Sequence, residues 1–250
     1  MLNRTSINKK DIILCNFDIN YIDKVKFKKA FARRINGEPI SKIFNKKSFW
    51  KHNFFVTQDV LDPRPETELI IEQIIKYYPN KNRPLKILDM CTGSGCLAIS
   101  LAKEYQKAKI TATDQSLKAL KIAKFNALNQ QCNNQISFFH CDLIEKINTY
   151  DIVVSNPPYL SKEKYHKTSA AIQLFEPKIA LVASKDGLEF YEKILSILNK
   201  LLHNHSMVFL EIDFDQTNKI KDILKFNHLK CVKVAKDIQN LDRVLIVKKS

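Results

Sequence analysis

The sequence predicts an α/β protein with a doubly wound, seven-stranded sheet, a small N-terminal helical domain and a hairpin. Three observations support this fold class: strand and helix patterns alternate from residue 85 onward, a glycine pair follows the first of these strands, and the last two strands lack a helix between them. The 250 residues are 45% hydrophobic and 27% charged. This composition excludes wholesale disorder, collagen-like chains and disulfide scaffolds.

Residues 1–47 are expected to form the small helical domain. Apolar residues recur at roughly helical spacing from Val25 to Ile35, with lysine and arginine between them. Gly37 and Pro39 follow that stripe, and a glycine cap with a proline soon after it is typical of a helix end.

Residues 48–84 are expected to form the hairpin and a linker helix. Aromatic residues flank Lys51 to Asn53, which predicts two short paired strands. The run Asp-Pro-Arg-Pro-Glu-Thr-Glu from Asp62 to Glu68 predicts a stiff turn that leads into a helix ending near Tyr77. Acidic residues in the first turn suit the positive end of the helix dipole.

Residues 85–250 are expected to form the sheet domain. The strand patterns cover residues 85–90, 109–113, 135–140, 151–155, 207–212, 230–235 and 243–247. The helical patterns cover residues 97–105, 117–128, 188–202 and 216–226. Because the last two strands are joined by a short connection, they should pair antiparallel.

Glycine is scarce, with four in the chain where average usage near 7% would give roughly 17. Two of the four lie in the glycine loop, Asp89 to Gly95, where they let the backbone approach a ligand next to a helix N-terminus. Asp114, at the end of the second strand, can accept both hydroxyls of a ribose. Two cofactors fit: Gly93 to Ala98 matches the dinucleotide pattern G-x-G-x-x-G/A, whereas Asp89 suits the charged methionine end of S-adenosylmethionine (SAM).

The fourth strand leads directly into the Asn-Pro-Pro-Tyr segment, Asn156 to Tyr159. Its prolines supply no backbone donors, and its carbonyl groups with the Asn156 side chain can accept both N–H bonds of a planar amino group. An amide or aromatic amine is a poor nucleophile, and acceptors that favour a pyramidal nitrogen stabilise the transition state of its methylation. This segment therefore favours methyl transfer from SAM over dehydrogenase chemistry, with Asn156, Pro157 and Tyr159 as candidate catalytic residues.

The sequence resembles the protein-(glutamine-N5) methyltransferases of peptide-chain release factors, the PrmC/HemK family, from about Arg33 to Val247. The matching segments are residues 34–39, 55–56, 60–68, 87–96, 114–116, 119–120, 153–159, 175–177, 180–181 and 186–188. The Arg-Pro-Glu-Thr-Glu run at Arg64 to Glu68 is the more selective of the motifs, since adenine-N6 methyltransferases share Asn-Pro-Pro-Tyr.

The resemblance implies a Rossmann-like methyltransferase sheet and SAM as methyl donor, with S-adenosylhomocysteine as product. It implies as acceptor the glutamine of the release factors' Gly-Gly-Gln loop, with the N-terminal helical domain docking the release factor. The implied cofactor-binding residues are Asp89, Cys91, Thr92, Gly93, Ser94, Gly95, Asp114, Asp142, Leu143 and Asn156. Within that set, Cys91 to Gly95 would line the methionine part, Asp114 the ribose, and Asp142 with Leu143 the adenine. The implied substrate-binding residues are Arg64, Glu66, Asn156, Pro157, Pro158 and Tyr159.

Three positions depart from the family pattern. The N-terminal segment is shorter than usual, Leu143 stands where an aromatic residue would stack on adenine, and Glu211 to Asp213 replaces a frequent Glu-Ile-Gly. The shorter N-terminal segment predicts that release-factor docking is reduced or rearranged in this chain.

Two other functions stay open at this point. Adenine-N6 methylation of RNA or DNA would place a flipped base in the same pocket, and a non-catalytic SAM- or nucleotide-binding module would need only the glycine loop. The net charge of +15 permits nucleic-acid contacts without requiring them. Six scattered cysteines predict reduced thiols and no metal site. The reduced thiols indicate a cytoplasmic enzyme. Because no apolar run reaches roughly 18 residues, we expect no membrane partner. We expect the enzyme to be a monomer.

Overall fold

The computed structural model describes residues 23–144 and 148–250. The first half of the predicted helical domain, residues 1–22, lies outside the described residues. Helix α1 spans Lys24–Ile35 and helix α2 spans Ile40–Phe44. Asp23 caps α1 by accepting hydrogen bonds from backbone N–H groups, and Gly37 follows its end with a φ of +86°. The apolar stripe of α1 is between 47% and 68% exposed at Val25, Phe27, Phe31 and Ile35.

The predicted hairpin is confirmed. Strand β1, Lys47–Phe49, pairs antiparallel with strand β2, His52–Phe54. The chain then passes through a 3-10 turn, Pro65–Thr67, into helix α3, Glu68–Tyr77. Phenylalanines of the hairpin and isoleucines of α3 belong to one apolar cluster with residues of the large sheet, so this region packs directly on the sheet domain.

The sheet domain follows the predicted alternation. Its strands are β3 Lys86–Met90, β4 Lys109–Asp114, β5 Ile136–His140, β6 Tyr150–Ser155, β7 Leu202–Glu211, β8 Leu229–Lys236 and β9 Asp242–Lys249. Its helices are α4 Cys96–Glu104, α5 Leu117–Asn129, α6 Lys162–His166, α7 Ala170–Phe175, α8 Glu189–Leu201 and α9 Thr217–Phe226. Short turns of helix at Asn133–Gln135, Lys178–Ala180 and Ser184–Gly187 complete the described elements.

The seven strands lie in the order β5-β4-β3-β6-β7-β9-β8. Strand β3 pairs in parallel with β4 on one side and β6 on the other, so that Ile87 lies between Ile110 and Ile152. Strand β9 is antiparallel to both β7 and β8, which confirms the pairing predicted for the last two strands. The strand order reverses at β3, and ligands of such sheets bind outside the carboxyl ends of the strands at that switch point.

Successive side chains of a strand point to opposite faces of the sheet, and in this sheet both faces are apolar. Ile87 and Ile152 belong to the cluster that contains α3 and α4, whereas Leu88 and Val153 belong to the cluster that contains α8 and α9. Two helical layers therefore enclose the sheet and leave its carboxyl edge accessible.

Strand β7 differs from the prediction at its start. It begins at Leu202, opposite Tyr150, and the register shifts before Met207 pairs with Ile152. The Ser206 hydroxyl donates to the carbonyl of Tyr150 at 2.6 Å. The polar residues between the two paired stretches gave no strand pattern, because the irregularity interrupts the alternation of apolar and polar side chains.

Candidate active site

A cleft opens at the carboxyl ends of β3, β4 and β6. The cleft brings together many of the predicted site residues: Arg64, Cys91, Thr92, Gly93, Ser94, Asp114, Asn156 and Pro158. Its wall also contains residues that sequence reasoning did not single out as ligands: Asp59 to Pro63, Thr67, Gln115, Ser116, Ile179 and Ala180.

Asp89 does not line the cleft. It holds the glycine loop through hydrogen bonds. Its Oδ2 accepts hydrogen bonds from the Thr92 hydroxyl at 2.6 Å and from the Ala98 N–H at 3.1 Å. Burial raises the pKa of Asp89 to about 7, although both hydrogen bonds act to lower it. Its Oδ1 finds no hydrogen-bond partner within the described part of the chain.

Gly95 is required by packing as well as by backbone conformation. It caps α4 with a φ of +81°, and a Cβ there would lie 3.0 Å from the Ile99 Cδ1 atom and 3.1 Å from the Ala123 Cβ atom. Gly93, with a φ of +56°, has open space at the same place. The first glycine therefore leaves room toward the cleft, and the second lets α4 pack against α5.

Two cysteines, one within the glycine loop and one directly after it, are poor nucleophile candidates. Desolvation raises the pKa of the Cys96 thiol to about 12 and that of Cys91 well above its ordinary value. Since the thiolate is the reactive form, these thiols do not supply nucleophilic catalysis at neutral pH.

Asp114 lies beside the glycine loop at the end of β4. Its Oδ2 accepts from the Gly93 N–H and its Oδ1 from the Ser116 N–H, both at 2.8 Å. Each carboxylate oxygen has a second lone pair, so the side chain retains acceptor capacity for a ligand diol. Burial raises the pKa of Asp114 from its ordinary value, and the two N–H groups favour its ionised form.

Asn156 leaves β6 and belongs to a buried chain of hydrogen bonds. Its Nδ2 donates to the Thr67 Oγ1 at 3.1 Å, and the Thr67 hydroxyl donates to the Glu211 Oε2 at 2.6 Å. The Tyr159 hydroxyl donates to the other Glu211 oxygen at 3.4 Å. Burial is the largest influence on Glu211 and raises its pKa to about 7.

Tyr159 is half-buried behind the cleft and does not line it. Its ring packs against the apolar cluster below the sheet, and its backbone carbonyl accepts from the Gln216 Nε2 at 3.0 Å. Burial raises the pKa of its hydroxyl well above the ordinary value. In this structure the tyrosine anchors the Asn-Pro-Pro-Tyr segment to β7 and to the turn before α9.

A buried charge cluster holds one wall of the cleft. Lys42 of α2 is paired with Asp62 at 2.8 Å and with Glu176 at 3.0 Å, and Arg64 is paired with Glu176 at 3.0 Å. The Lys42 side chain is only 1% exposed. The sequence offered Glu176 only as part of a family match, and no local pattern marked Lys42, because lysine is ordinarily exposed.

Four further predicted site residues do not line the cleft, and one of them, Pro157, is buried. Glu66 is exposed and is absent from the cleft wall. Asp142 pairs with Lys193 at 3.2 Å and, with Leu143, lines a separate depression beside α8. The carbonyl of Leu143 accepts from the Thr113 hydroxyl. Contacts of Asp142 and Leu143 with adenine stay a prediction.

Within residues 23–144 and 148–250, no group of three or more histidine, cysteine, aspartate or glutamate side chains is placed to hold a metal ion. Over the same ranges, no helix combines the length and apolar character needed to cross a membrane.

The arrangement suits two kinds of group. Asp114 and the glycine loop can hold a ribose with its attached chain, and the acceptors at Asn156 can hold a planar amino group in the same cleft. A site of this kind can place a nitrogen next to a reactive part of an adenosine-type ligand.

Comparison with known proteins gives consistent results. Residues 50–230 match the family model described as "Methyltransferase small domain". The chain is 34% identical to the release factor glutamine methyltransferase of Thermodesulfovibrio yellowstonii, over 98% of this chain and 88% of that protein. It is 36% identical to the release factor glutamine methyltransferase of Coxiella burnetii, over 87% of this chain and 77% of that protein. Among solved structures, a methyltransferase from Pyrococcus furiosus shares the fold with a TM-score of 0.55 and 19% identity, over 90% of this chain and 96% of that one.

Proposed function

The chain belongs to the release factor glutamine methyltransferases, and from this premise we propose the details of its reaction. It transfers a methyl group from SAM to the N5 atom of the glutamine in the Gly-Gly-Gln loop of peptide-chain release factors. The single observation that carries the proposal is the position of Asn156, whose amide nitrogen is held by Thr67 while its side chain lines the same cleft as Asp114 and Gly93.

The residues of the cleft fit SAM. Asp114 has acceptor capacity for the ribose hydroxyls, and Gly93 leaves space for close approach of the ligand. When bound, SAM supplies an electrophilic methyl group. Cys91 to Gly95 would hold its methionine part, and Asp114 would hold its ribose.

Asn156 and Pro157 would bind the acceptor amide. Because the Asn156 nitrogen donates to Thr67, its side-chain oxygen is the group left to accept an N–H bond from the glutamine. The carbonyl of Pro157 receives no hydrogen bond from a described residue and can accept the second N–H. Two acceptors on one amino group favour a pyramidal nitrogen, which raises its nucleophilicity in the transition state.

Release-factor docking would use the N-terminal helices. Helix α1 presents an exposed apolar stripe that includes Phe27 and Phe31, with basic residues between them. A helix of this kind can bind an apolar and acidic surface of a protein partner.

The direct test is methyl transfer from labelled SAM to a purified release factor. We expect one methyl group on the Gly-Gly-Gln glutamine and none on a release factor in which that glutamine is replaced by alanine. The variant Asn156→Ala should still bind SAM and transfer no methyl group at a measurable rate. No transfer by a protein that binds SAM would contradict the proposal, and methyl groups on adenine in RNA or DNA would favour the adenine-N6 reaction instead.

A further inference from the structure

A buried carboxylate lies behind the Asn-Pro-Pro-Tyr segment, outside the cleft. Glu211 ends β7 and is 1% exposed. It forms no ion pair within the described part of the chain; the nearby Arg243 is paired with Asp237 instead. A buried carboxylate without a cation destabilises a fold, so a structural role alone gives little reason for this residue type.

With Glu211 ionised, the hydrogen bonds from it outward have only one consistent direction. An ionised carboxylate accepts hydrogen bonds and donates none. The Thr67 hydroxyl must therefore donate its single proton to the hydrogen bond with Glu211. Thr67 then offers only lone pairs to Asn156, and it is the Asn156 NH₂ group that donates to it. Protonation of Glu211 on the oxygen that faces Tyr159 would leave this arrangement unchanged, because the oxygen that faces Thr67 still accepts.

The opposite orientation of Asn156 would be unproductive. If Thr67 lost its acceptor, its proton could turn to Asn156 and bond the amide oxygen. The Asn156 NH₂ group would then face the cleft, where it would meet the NH₂ group of the acceptor glutamine donor to donor. The orientation of a single amide therefore decides whether the site presents an acceptor or a donor to the substrate.

We propose that Glu211 and Thr67 are positioning residues for methyl transfer, which together fix the amide of Asn156 with its oxygen toward the acceptor nitrogen. The inference rests on the proposed function, in which Asn156 binds the glutamine amide. Tyr159 also contributes to this arrangement, because its hydroxyl donates a hydrogen bond to the second oxygen of Glu211 and holds the carboxylate in place.

The test compares apolar and conservative variants at both positions. Glu211→Met and Thr67→Val remove the acceptor and the hydroxyl, and we expect each to lower kcat for release-factor methylation by about 10- to 100-fold. Glu211→Gln and Thr67→Ser keep an acceptor oxygen and a hydroxyl, and we expect them to recover most of that rate. The Kd for SAM should change by less than about twofold in both Glu211 variants, because Glu211 lies outside the cleft that would hold the cofactor.

A matched control is available at Glu104, a buried carboxylate at the end of α4. It is paired with Lys51 and Lys81 and is not among the residues that line the cleft. Glu104→Met should lower the melting temperature and retain kcat, whereas Glu211→Met should keep or raise the melting temperature and lose kcat.

Two results would overturn the inference. One is a kcat within about threefold of the parent in both Glu211→Met and Thr67→Val. The other is a parallel loss of SAM affinity and kcat, which would mean that the residues only support the cleft wall. Both results are distinct from failure of the proposed function, in which the unmodified protein itself would not methylate a release-factor glutamine.

Discussion

Gly187 is the position where a single methyl group should disturb catalysis most clearly. It ends the turn Ser184–Gly187 with a φ of +88°. A Cβ there would overlap the carbonyl oxygen of Tyr159 and would lie 2.5 Å from the Gln216 Nε2 that donates to that carbonyl. The substitution Gly187→Ala therefore acts directly on the backbone of the Asn-Pro-Pro-Tyr segment.

The expected magnitude has two parts. A left-handed backbone at a residue with a Cβ costs about 1–2 kcal/mol, and overpacking against Tyr159 and Gln216 adds about 1–3 kcal/mol. We therefore expect the free energy of unfolding to fall by about 2–5 kcal/mol. Relief of the overlap needs a displacement of roughly 1 Å in a segment that orients the acceptor, and such a displacement can lower the rate about 10²-fold.

Gly37→Ala is the matched control. Gly37 has a φ of +86° with no atom near the position of a Cβ, so it carries the backbone strain without the overlap. Urea unfolding should show a loss of about 1–2 kcal/mol for Gly37→Ala and a larger loss for Gly187→Ala. Equal losses in the two variants, with kcat of Gly187→Ala unchanged, would refute the reasoning.

Three further results are expected. Asp114→Ala should weaken SAM binding at least about tenfold by calorimetry, since it removes the acceptors for the ribose; unchanged affinity would contradict that role. Lys42→Met should lower the free energy of unfolding by about 3–5 kcal/mol, because Asp62 and Glu176 would stay buried without this cation; a urea midpoint equal to the parent's would contradict it. Burial raises the pKa of Glu104, but hydrogen bonds from two lysines and Trp50 outweigh it and lower the pKa to about 2. The contribution of ionised Glu104 to the free energy of unfolding is therefore complete above the ordinary pKa of a glutamate and is lost as the pH falls toward 2. In urea unfolding, Glu104→Gln should have a free energy of unfolding about 1–2 kcal/mol below the parent's at pH 7, and this difference should shrink on acidification. A difference that does not depend on pH would contradict this.

The fold was predictable because its signals are local. Side chains such as Ile87 and Leu88 alternate between two apolar layers, and this alternation marks the strands in the sequence. The glycine loop and the Asn-Pro-Pro-Tyr segment stand directly after two strands that prove to be neighbours, β3 and β6. Their meeting at one edge follows from the topology of a parallel sheet.

The parts that sequence reasoning missed depend on distant contacts. Thr67 and Glu211 are 144 positions apart and meet only because α3 packs on the end of β7. Lys42 is buried because two carboxylates from separate segments converge on it, against the usual exposure of lysine.

The orientation of Asn156 toward a bound glutamine is the central claim, and one crystal structure tests it most directly. The structure would contain this protein with S-adenosylhomocysteine and a peptide that carries the Gly-Gly-Gln sequence. We expect the glutamine amide nitrogen to lie within hydrogen-bonding distance of the Asn156 side-chain oxygen and the Pro157 carbonyl, with the Asn156 nitrogen still on Thr67. A glutamine bound away from Asn156, or an Asn156 nitrogen that faces the cleft, would contradict the account.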